Sequence, residues 1–197
     1  SEWLPGLPAE RLDLWKRTVP NHGLVGRPLD LFERETPSVW HLRRGSGPQR
    51  RDVVCLINWD ADKDKSFALD GARLGLPADE DYIGYDFWEN QLLGPFRGRL
   101  ELEVSPGSCR VLTLMPRPEH PHLISTSRHV TQGLVDMVRQ EWRERQGSFQ
   151  GVSRLVRNDP YEIRIYQPDG FAFESFALSE ADQAAHVAYE IVAVENN

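Results

Sequence analysis

The chain has 197 residues, of which 40% are hydrophobic and 27% charged, and its formal net charge is −7. This composition is typical of a globular protein and not of a disordered one. The acidic balance argues against nucleic acid as a partner, because phosphate binding needs a basic surface. No apolar stretch approaches the roughly 20 residues that a membrane helix needs, so no membrane partner is expected. The chain does not begin with Met and has no signal-peptide pattern, which indicates a processed product or a deliberately cut piece.

The first predicted element is a helix over residues 8–19, PAERLDLWKRTV. Leu12, Trp15 and Val19 lie at i, i+3 and i+7, so they share one face of this helix. A single helix cannot bury such a face by itself and must dock on another part of the protein. Residues 20–37 are bounded by prolines and are too broken for a long helix or strand.

From Ser38 onward, short β-type runs alternate with turn residues. The clearest run is RLELEV, in which Leu100, Leu102 and Val104 alternate with glutamates; it predicts a strand with one buried and one solvent face. Turn signals recur about every 8–12 residues, which is the spacing of an antiparallel sandwich or barrel. The predicted strands are SVWHLRR, RDVVCLINWD, KSFALD, YIGYDFWE, RLELEVS and CRVLTLMP.

A basic run, LRRGSGPQRRD, surrounds a Gly/Pro turn between the first two of these strands. Arginines at a turn usually extend into water, because an unpaired buried charge is costly. We therefore interpret this run as the solvated tip of a hairpin.

A second β region follows residue 118. Its predicted strands are GVSRLVRN, YEIRIYQP, FAFESFALS and HVAYEIVAV, which are rich in aromatic and β-branched residues. LVDMVRQEWRE fits both helical and strand spacing, and its position between strand-rich stretches favours a strand slightly. PDG at 168–170 predicts a turn, and SEADQAA predicts one helical turn capped by Ser179.

Three aspartates at alternate positions resemble the opening of an EF-hand calcium loop: Asp60, Asp62 and Asp64. That loop needs Gly at its sixth position and Glu at its twelfth, where this chain has Lys65 and Gly71. We therefore predict a charged β-turn here and no calcium site.

The histidines and cysteines do not form a metal-binding pattern. His120 and His122 are the closest histidine pair, and they lie in a proline-rich stretch. Cys55 and Cys109 both lie in apolar runs, which favours buried free thiols, although the sequence leaves a bridge between them open. Two cysteines make neither a disulfide scaffold nor a zinc site. No metal and no cofactor are expected.

The stretch LISTSRHVTQG combines hydroxyl groups, an arginine and a histidine, which are ingredients of nucleophilic catalysis. Ser125 or Ser127 could act as nucleophile with His129 as base, but triads are usually assembled from distant residues, and no G-x-S-x-G elbow is present. The structural alternative is a polar connection between two β units, in which the hydroxyls and Gln132 bond backbone groups. In that arrangement Arg128 and His129 reach across to acidic residues of the neighbouring sheet. We predict no catalytic residue here.

Carbohydrate binding is suggested by YDFWEN, where Asp86 and Glu89 flank two aromatic residues. A ring can stack on the apolar face of a sugar while carboxylates accept hydrogen bonds from its hydroxyl groups. Trp88 and Trp59 are the candidate stacking platforms. The competing interpretation is that Trp88 packs in the core.

In order along the chain, LPAERLDLWKRTVP, RPLDLFE, PSVWHL, VVCLINW, YDFWEN, LEVSPGSCRVLTLMP and HPHLISTSRHVTQG resemble the end of an α-galactosidase (melibiase)-type glycoside hydrolase. In that family a catalytic (β/α)8 barrel is followed by an antiparallel β-sandwich. The resemblance covers about the first 130 residues. It implies that the opening helix is the last piece of the barrel or its link to the sandwich. The catalytic aspartates of the family stand on barrel strands that this chain lacks, so none is assigned.

We therefore predict an all-β chain with an antiparallel β-sandwich of Greek-key type and a short N-terminal helix. Residues 1–35 form a helical lead from a missing upstream domain, 36–118 the sandwich, and 119–197 a second β unit packed on it. The expected role is a non-catalytic accessory module that supports the missing barrel, which is the expected partner. The alternatives are a carbohydrate-binding module and an autonomous hydrolase with its own site.

Overall fold

The computed structural model describes residues 6–19 and 23–194. Within them, antiparallel strands predominate and the helices are short, which confirms the all-β prediction. The helices are α1 (Ala9–Thr18), α2 (Gly71–Leu74) and α3 (Glu180–Ala184). The strands are β1 (Arg27–Pro28), β2 (Val39–Arg44), β3 (Arg51–Ile57), β4 (Lys65–Asp70), β5 (Tyr82–Asp86), β6 (Gln91–Phe96), β7 (Arg99–Val104), β8 (Cys109–Pro116), β9 (His122–Thr126), β10 (Met137–Arg143), β11 (Ser148–Ser153) and β12 (Ile163–Tyr166).

The centre of the molecule is a six-stranded antiparallel sheet in the order β1-β2-β3-β8-β5-β6. Its inner face packs against the pair β4–β7, and together they form a two-layer sandwich. The core between the layers comprises Val54, Leu56, Phe67, Leu69, Leu74, Leu76, Tyr82, Leu93, Leu102, Val104, Leu112 and Leu114. Strand alternation explains this set, because residues two apart on each strand face the same side.

The outer face of the six-stranded sheet is partly covered by the pair β9–β12. Ile83 and Met115 from the sheet form a small buried cluster with Ile124 of β9, and Tyr166 of β12 packs on its edge. Strand β9 lies inside LISTSRHVTQG, so this stretch is half strand and half loop.

Strand β6 is an element that the sequence did not predict. It contains Gly94 and Pro95, which normally argue against a strand. Because β6 lies at the edge of the sheet, a proline without an N–H is tolerated there.

Residues 171–194, which we name the arm, contradict the sequence prediction. FAFESFALS and HVAYEIVAV were predicted as strands, but the arm contains only the short helix α3 and no strand. Its large side chains are exposed: Phe173 58%, Phe176 48%, Tyr189 56%, Ile191 49%, Val192 70% and Val194 84%. The predicted turn does form, with the Phe171 N–H donating to the Pro168 carbonyl, and Ser179 caps α3 as expected.

Candidate functional site

The polar stretch that the sequence singled out lies against the outer face of the central sheet. We name residues 123–136 the seam segment, because they join the sandwich to the strands that follow. Ser125, Thr126, Gln132 and Asp136 are all buried. Buried polar groups need hydrogen-bond partners, so the partners of each side chain determine what this segment does.

The main tie between sandwich and seam segment is Arg51, the first residue of β3, which is only 6% exposed. Its Nη1 donates to the carbonyl oxygens of Gln132 at 2.8 Å and Ile124 at 3.3 Å, and its Nη2 donates to the Leu123 carbonyl at 2.5 Å. Within the described residues no carboxylate forms an ion pair with it. Burial, with a smaller contribution from Arg44, lowers the pKa of Arg51 to about 10, so the group stays charged at neutral pH. The prediction that this basic run is solvated is therefore wrong at Arg51.

A second tie runs through Gln132, which is fully buried and has a φ of 51°. Its Nε2 donates to the Val111 carbonyl of β8 at 3.2 Å, and its Oε1 accepts from the Ser125 hydroxyl at 2.8 Å. Arg164 of β12 donates to the same hydroxyl at 3.2 Å. Gln132 thus satisfies a backbone group of the neighbouring sheet.

Arg128 has partners other than those expected. Its Nη1 donates to the Arg154 carbonyl at 2.7 Å, and its Nε lies 3.0 Å from an oxygen of Asp159. The guanidinium stacks 3.9 Å above the ring of Tyr161, and Asp136 lies 3.5 Å from Nη1. All these groups follow the sandwich in the chain. Arg128 therefore fixes the second β unit internally, and the cation that joins the two regions is Arg51.

His129 connects the seam segment to the opening helix. Its Nδ1 lies 3.1 Å from the Lys16 carbonyl, and its Nε2 lies 3.4 Å from Asp136. The next residue, Val130, donates its N–H to the Arg17 carbonyl at 2.9 Å. The C-terminal end of α1 is thereby held against the seam segment, because two of its terminal carbonyls find partners there.

The geometry of these groups does not support a nucleophile and base. The Ser125 hydroxyl is engaged with Gln132, and the Ser127 hydroxyl accepts a hydrogen bond from the Glu162 N–H at 2.8 Å. A nucleophile needs its hydroxyl within hydrogen-bond reach of the base, but both hydroxyls point to other groups than His129. The side chains are also buried in contacts rather than arranged around a cleft. The seam segment therefore acts as a structural connection.

The carbohydrate candidates lie in two different environments. Asp86 is fully buried, with Oδ1 accepting from the N–H groups of Trp88 and Glu89 and Oδ2 paired with Arg110. Trp88 is partly buried and meets Phe87 edge to face at 4.8 Å between ring centroids. Both oxygens of Asp86 are thus already engaged within the protein, whereas the Glu89 side chain is exposed.

Trp59 differs from these residues because its ring is accessible. It is 57% exposed, and its Nε1 donates to the Pro37 carbonyl at 2.9 Å. Beside it, an oxygen of Asp60 accepts from the N–H groups of Asp62 and Lys63, which confirms the predicted charged turn. No group of three potential metal ligands is found in the part of the chain that the structure describes.

A buried polar network around Asp52 was not anticipated from the sequence. Asp52 is fully buried, 2.6 Å from His41 Nε2, and it accepts two hydrogen bonds from Arg50 at 2.6 and 3.0 Å. Arg50 also donates to the Leu74 carbonyl at 2.7 Å and so fixes the end of α2. Burial alone would raise the pKa of Asp52, but the hydrogen bonds from His41 and Arg50 outweigh it, and the pKa is lowered. Asp52 lies two residues before the buried Val54 on the same strand, so strand alternation could have indicated that its side chain is buried as well.

No protein-family model and no curated protein matches this chain. Several solved structures match it over about half of its length. α-Galactosidase I from Mortierella vinacea is 17% identical over 46% of this chain and 23% of that one, with a TM-score of 0.36. The GH27 β-L-arabinopyranosidase from Geobacillus stearothermophilus is 20% identical over 48% and 20% of the two chains (TM-score 0.38), and the isomalto-dextranase from Arthrobacter globiformis T6 is 22% identical over 52% and 18% (TM-score 0.38).

This chain spans less than a quarter of the length of each of these three proteins. With TM-scores below 0.5, these similarities do not establish a family for it. None of the helices in residues 6–19 and 23–194 has the length and apolar character needed to cross a membrane.

Proposed function

We propose that this chain is a non-catalytic accessory module of an α-galactosidase-like glycoside hydrolase, and that it supports a catalytic (β/α)8 barrel. The observation that carries the proposal is the surface of the described part of the lead, residues 6–19 and 23–35. Its large apolar side chains include Leu14 at 51% exposed, Trp15 at 42%, Val25 at 81%, Leu31 at 48% and Phe32 at 99%. Large exposed apolar side chains are a feature of surfaces that another domain or protein covers.

The sandwich gives the contrast that makes this surface informative. Between residues 36 and 118, the large hydrophobic side chains that stand exposed are Trp40 at 37% and Trp59 at 57%. The sandwich therefore buries its own apolar residues, whereas the lead leaves much of its apolar surface in water. The order of sequence motifs that resembles α-galactosidases supports a barrel as the covering domain.

The lead is also held in place for docking. The end of α1 is bound to His129 and Val130, as described above. Further along, the buried carboxylate of Asp30 accepts from the N–H groups of Ser38 and Val39 at 3.0–3.1 Å. A surface that is ordered before binding loses less conformational entropy when its partner arrives.

The docking proposal is tested with the barrel encoded upstream in the parent enzyme, produced separately and mixed with this chain. We expect a complex in size-exclusion chromatography and calorimetry. A Trp15→Ser/Phe32→Ser double variant should weaken it at least tenfold, because large aromatic side chains contribute about 2 kcal/mol or more at the centre of interfaces. Trp59→Ser, outside the lead, is the matched control and should bind normally. Equal binding by both variants would overturn the docking surface.

The non-catalytic part of the proposal has its own measurement. The purified chain should release no nitrophenol from an aryl α-galactoside, because glycoside hydrolysis needs two carboxyl groups that face the substrate, and both oxygens of Asp86 are already engaged within the protein. Hydrolysis that persists through purification would establish an autonomous enzyme instead.

A carbohydrate-binding module is the second candidate, and the accessible ring of Trp59 favours it. A tryptophan fixed through its N–H but open on its face can stack on a sugar. Titration with galacto-oligosaccharides should then change tryptophan fluorescence in the wild type and in Trp88→Ala, but not in Trp59→Ala. If only Trp88→Ala abolishes the signal, the platform is Trp88; a silent wild type excludes sugar binding by this surface.

A further inference from the structure

The two cysteines lie on neighbouring strands at the centre of the molecule. Cys55 is in β3 and Cys109 in β8, and these strands pair antiparallel. In the register Cys55 is opposite Val111, while Cys109 is opposite Ile57. The cysteines are therefore diagonal neighbours on one face of the sheet, because residues two apart on a strand point to the same side.

The two thiols are neighbours on the face of the sheet that is turned away from the sandwich core. Both cysteines are unbridged and partly exposed. The interaction between the two side chains lowers the pKa of Cys109 and raises the pKa of Cys55, and Trp88 contributes to the shift of Cys109. The Nε1 of Trp88 is buried and has no hydrogen-bond partner among the described residues. A lowered pKa favours the thiolate of Cys109.

We propose that Cys55 and Cys109 form a cross-strand dithiol site that is reversibly oxidised by low-molecular-weight disulfides, with Cys109 as the attacking group and Cys55 as the resolving group. The site faces away from the sandwich core and lies outside both the lead and the Trp59 surface. It is independent of the proposed accessory role.

The assignment of roles follows from the opposite pKa shifts of the two thiols. The interaction with Cys55 outweighs burial and lowers the pKa of Cys109 to about 7, with a further contribution from Trp88. The same interaction and burial raise the pKa of Cys55. Near neutral pH Cys109 is therefore the thiol that ionises more readily, and Cys55 holds its proton.

The reaction proceeds in two exchange steps. The Cys109 thiolate attacks one sulfur of glutathione disulfide, breaks its S–S bond and releases one glutathione thiolate, which takes up a proton. Cys55, on losing its proton to solvent, attacks the Cys109 sulfur of the mixed disulfide and releases the second glutathione. The protein loses two protons and two electrons, and glutathione disulfide gains them to give two glutathione thiols.

The diagonal register makes the product easy to reduce again. Diagonal residues on an antiparallel pair have Cα atoms about 7–8 Å apart, whereas disulfides prefer about 5.5–6 Å. Closing the bridge requires a small shift of one strand against the other. Disulfides under strain have higher reduction potentials and are the labile ones.

The test uses the full chain, native conditions and glutathione disulfide as the probe, with intact mass spectrometry as readout. The wild type should become two hydrogens lighter, carry no glutathione and recover its mass with dithiothreitol. Cys55→Ala should stop with one glutathione per chain, because its resolving group is missing. Cys109→Ala should react about threefold more slowly near pH 7, because the roughly 15-fold smaller thiolate fraction of a thiol with a pKa of about 8.5 is offset by about fivefold higher nucleophilicity.

A pH profile separates this chemistry from a merely structural role of the cysteines. Alkylation of the wild type by iodoacetamide should show an inflection near pH 7, and Cys55→Ala should move it towards the ordinary thiol value of about 8.5. The proposal is overturned if the wild type keeps two thiols, accumulates two glutathiones or forms a disulfide between chains. An inflection that Cys55→Ala leaves unchanged would overturn the assignment of roles.

Discussion

Arg51 shows how a single residue can hold two parts of this chain together. A buried guanidinium usually pairs with a carboxylate, but here three backbone carbonyls of the seam segment accept its hydrogen bonds. Carbonyl oxygens carry partial negative charge and keep their positions, so they solvate the cation without the flexibility of an acidic side chain. The tie is therefore strong only if the seam segment is folded.

We predict that Arg51→Met lowers the free energy of unfolding by about 3 kcal/mol, because it leaves buried carbonyls without a donor. Urea denaturation followed by circular dichroism measures the change. Arg99→Met is the control: Arg99 is an exposed arginine of β7 paired with exposed Glu101, and its loss should cost less than about 0.5 kcal/mol. Equal midpoints for the two variants would contradict the role of Arg51.

His122 gives the molecule a measurable dependence on pH. Burial, followed by the nearby positive charges of Arg51 and His120, lowers the pKa of His122 from 6.5 to about 4. Between these two values the unfolded chain binds a proton that the folded chain does not, so lowering the pH favours unfolding. Stability from this group is complete above about pH 6.5 and is lost as the pH falls towards 4.

Unfolding in urea at a series of pH values from 7 to 4 tests this expectation. The wild type should lose on the order of 2–3 kcal/mol through this window, and His122→Phe, which keeps an aromatic ring beside Phe149, should lose much less. The exposed His186, substituted as His186→Asn, should retain the wild-type profile. A His122→Phe profile parallel to the wild type would show that other groups cause the loss.

At the level of elements, strands were predicted well where a partner strand lies beside them. KSFALD and CRVLTLMP coincide with β4 and β8, because their alternation matches the two faces that the sandwich buries. FAFESFALS has the same type of composition but forms no strand pair among the described residues. β-Propensity reflects how well side chains pack against a neighbouring strand, and it does not by itself supply that strand. The sequence cannot show which strands have neighbours.

Close packing of strands is tightest at Gly84 of β5. A Cβ there would lie 2.7 Å from Leu114 Cδ2 and 2.9 Å from the Thr113 carbonyl oxygen of β8. The carbonyl belongs to the central ladder and cannot move without loss of hydrogen bonds. Gly84→Ala should therefore lower the free energy of unfolding by about 2 kcal/mol. Gly26→Ala, where nothing lies within 4 Å of the new atom, should be nearly neutral in the same denaturation experiment.

The candidate site was predictable in its type but not in its partners. The polar density of LISTSRHVTQG indicated a structural connection, and Gln132 does bond the backbone of β8. The decisive cation was missed because Arg51 lies more than 70 residues away in sequence and looked like part of a solvated turn. Long-range side-chain partners depend on strand order, which local patterns do not contain.

At the level of the whole molecule, much surface remains outside the compact body. The accessible surface is 13478 Å², whereas a compact monomer of 22.6 kDa would expose about 9,500 Å². The lead and the arm account for much of the difference, because most of their side chains are exposed. Regions with few buried contacts open most readily and are the first that proteases reach.

The arm has no Lys or Arg, so two proteases should distinguish it from the body. Chymotrypsin should cut first after Phe173, Phe176 or Tyr189 and leave the sandwich intact. Trypsin has no site after Arg164, which lies in the paired strand β12, so the arm should remain attached to that strand. Mass spectrometry of brief digests identifies the cuts. Resistance of all three aromatic sites would mean that the arm is packed in solution.

The contacts of Arg51 determine how this chain can be divided or exchanged. A cut after residue 118 would separate the guanidinium from all three carbonyls that accept its hydrogen bonds. The longer piece, residues 1–118, would keep a cation in an opened apolar face, and the shorter piece would keep β9 without the sheet that covers it. We therefore expect recombination between chains of this fold to be tolerated upstream of β2 or downstream of β12, and rarely between them.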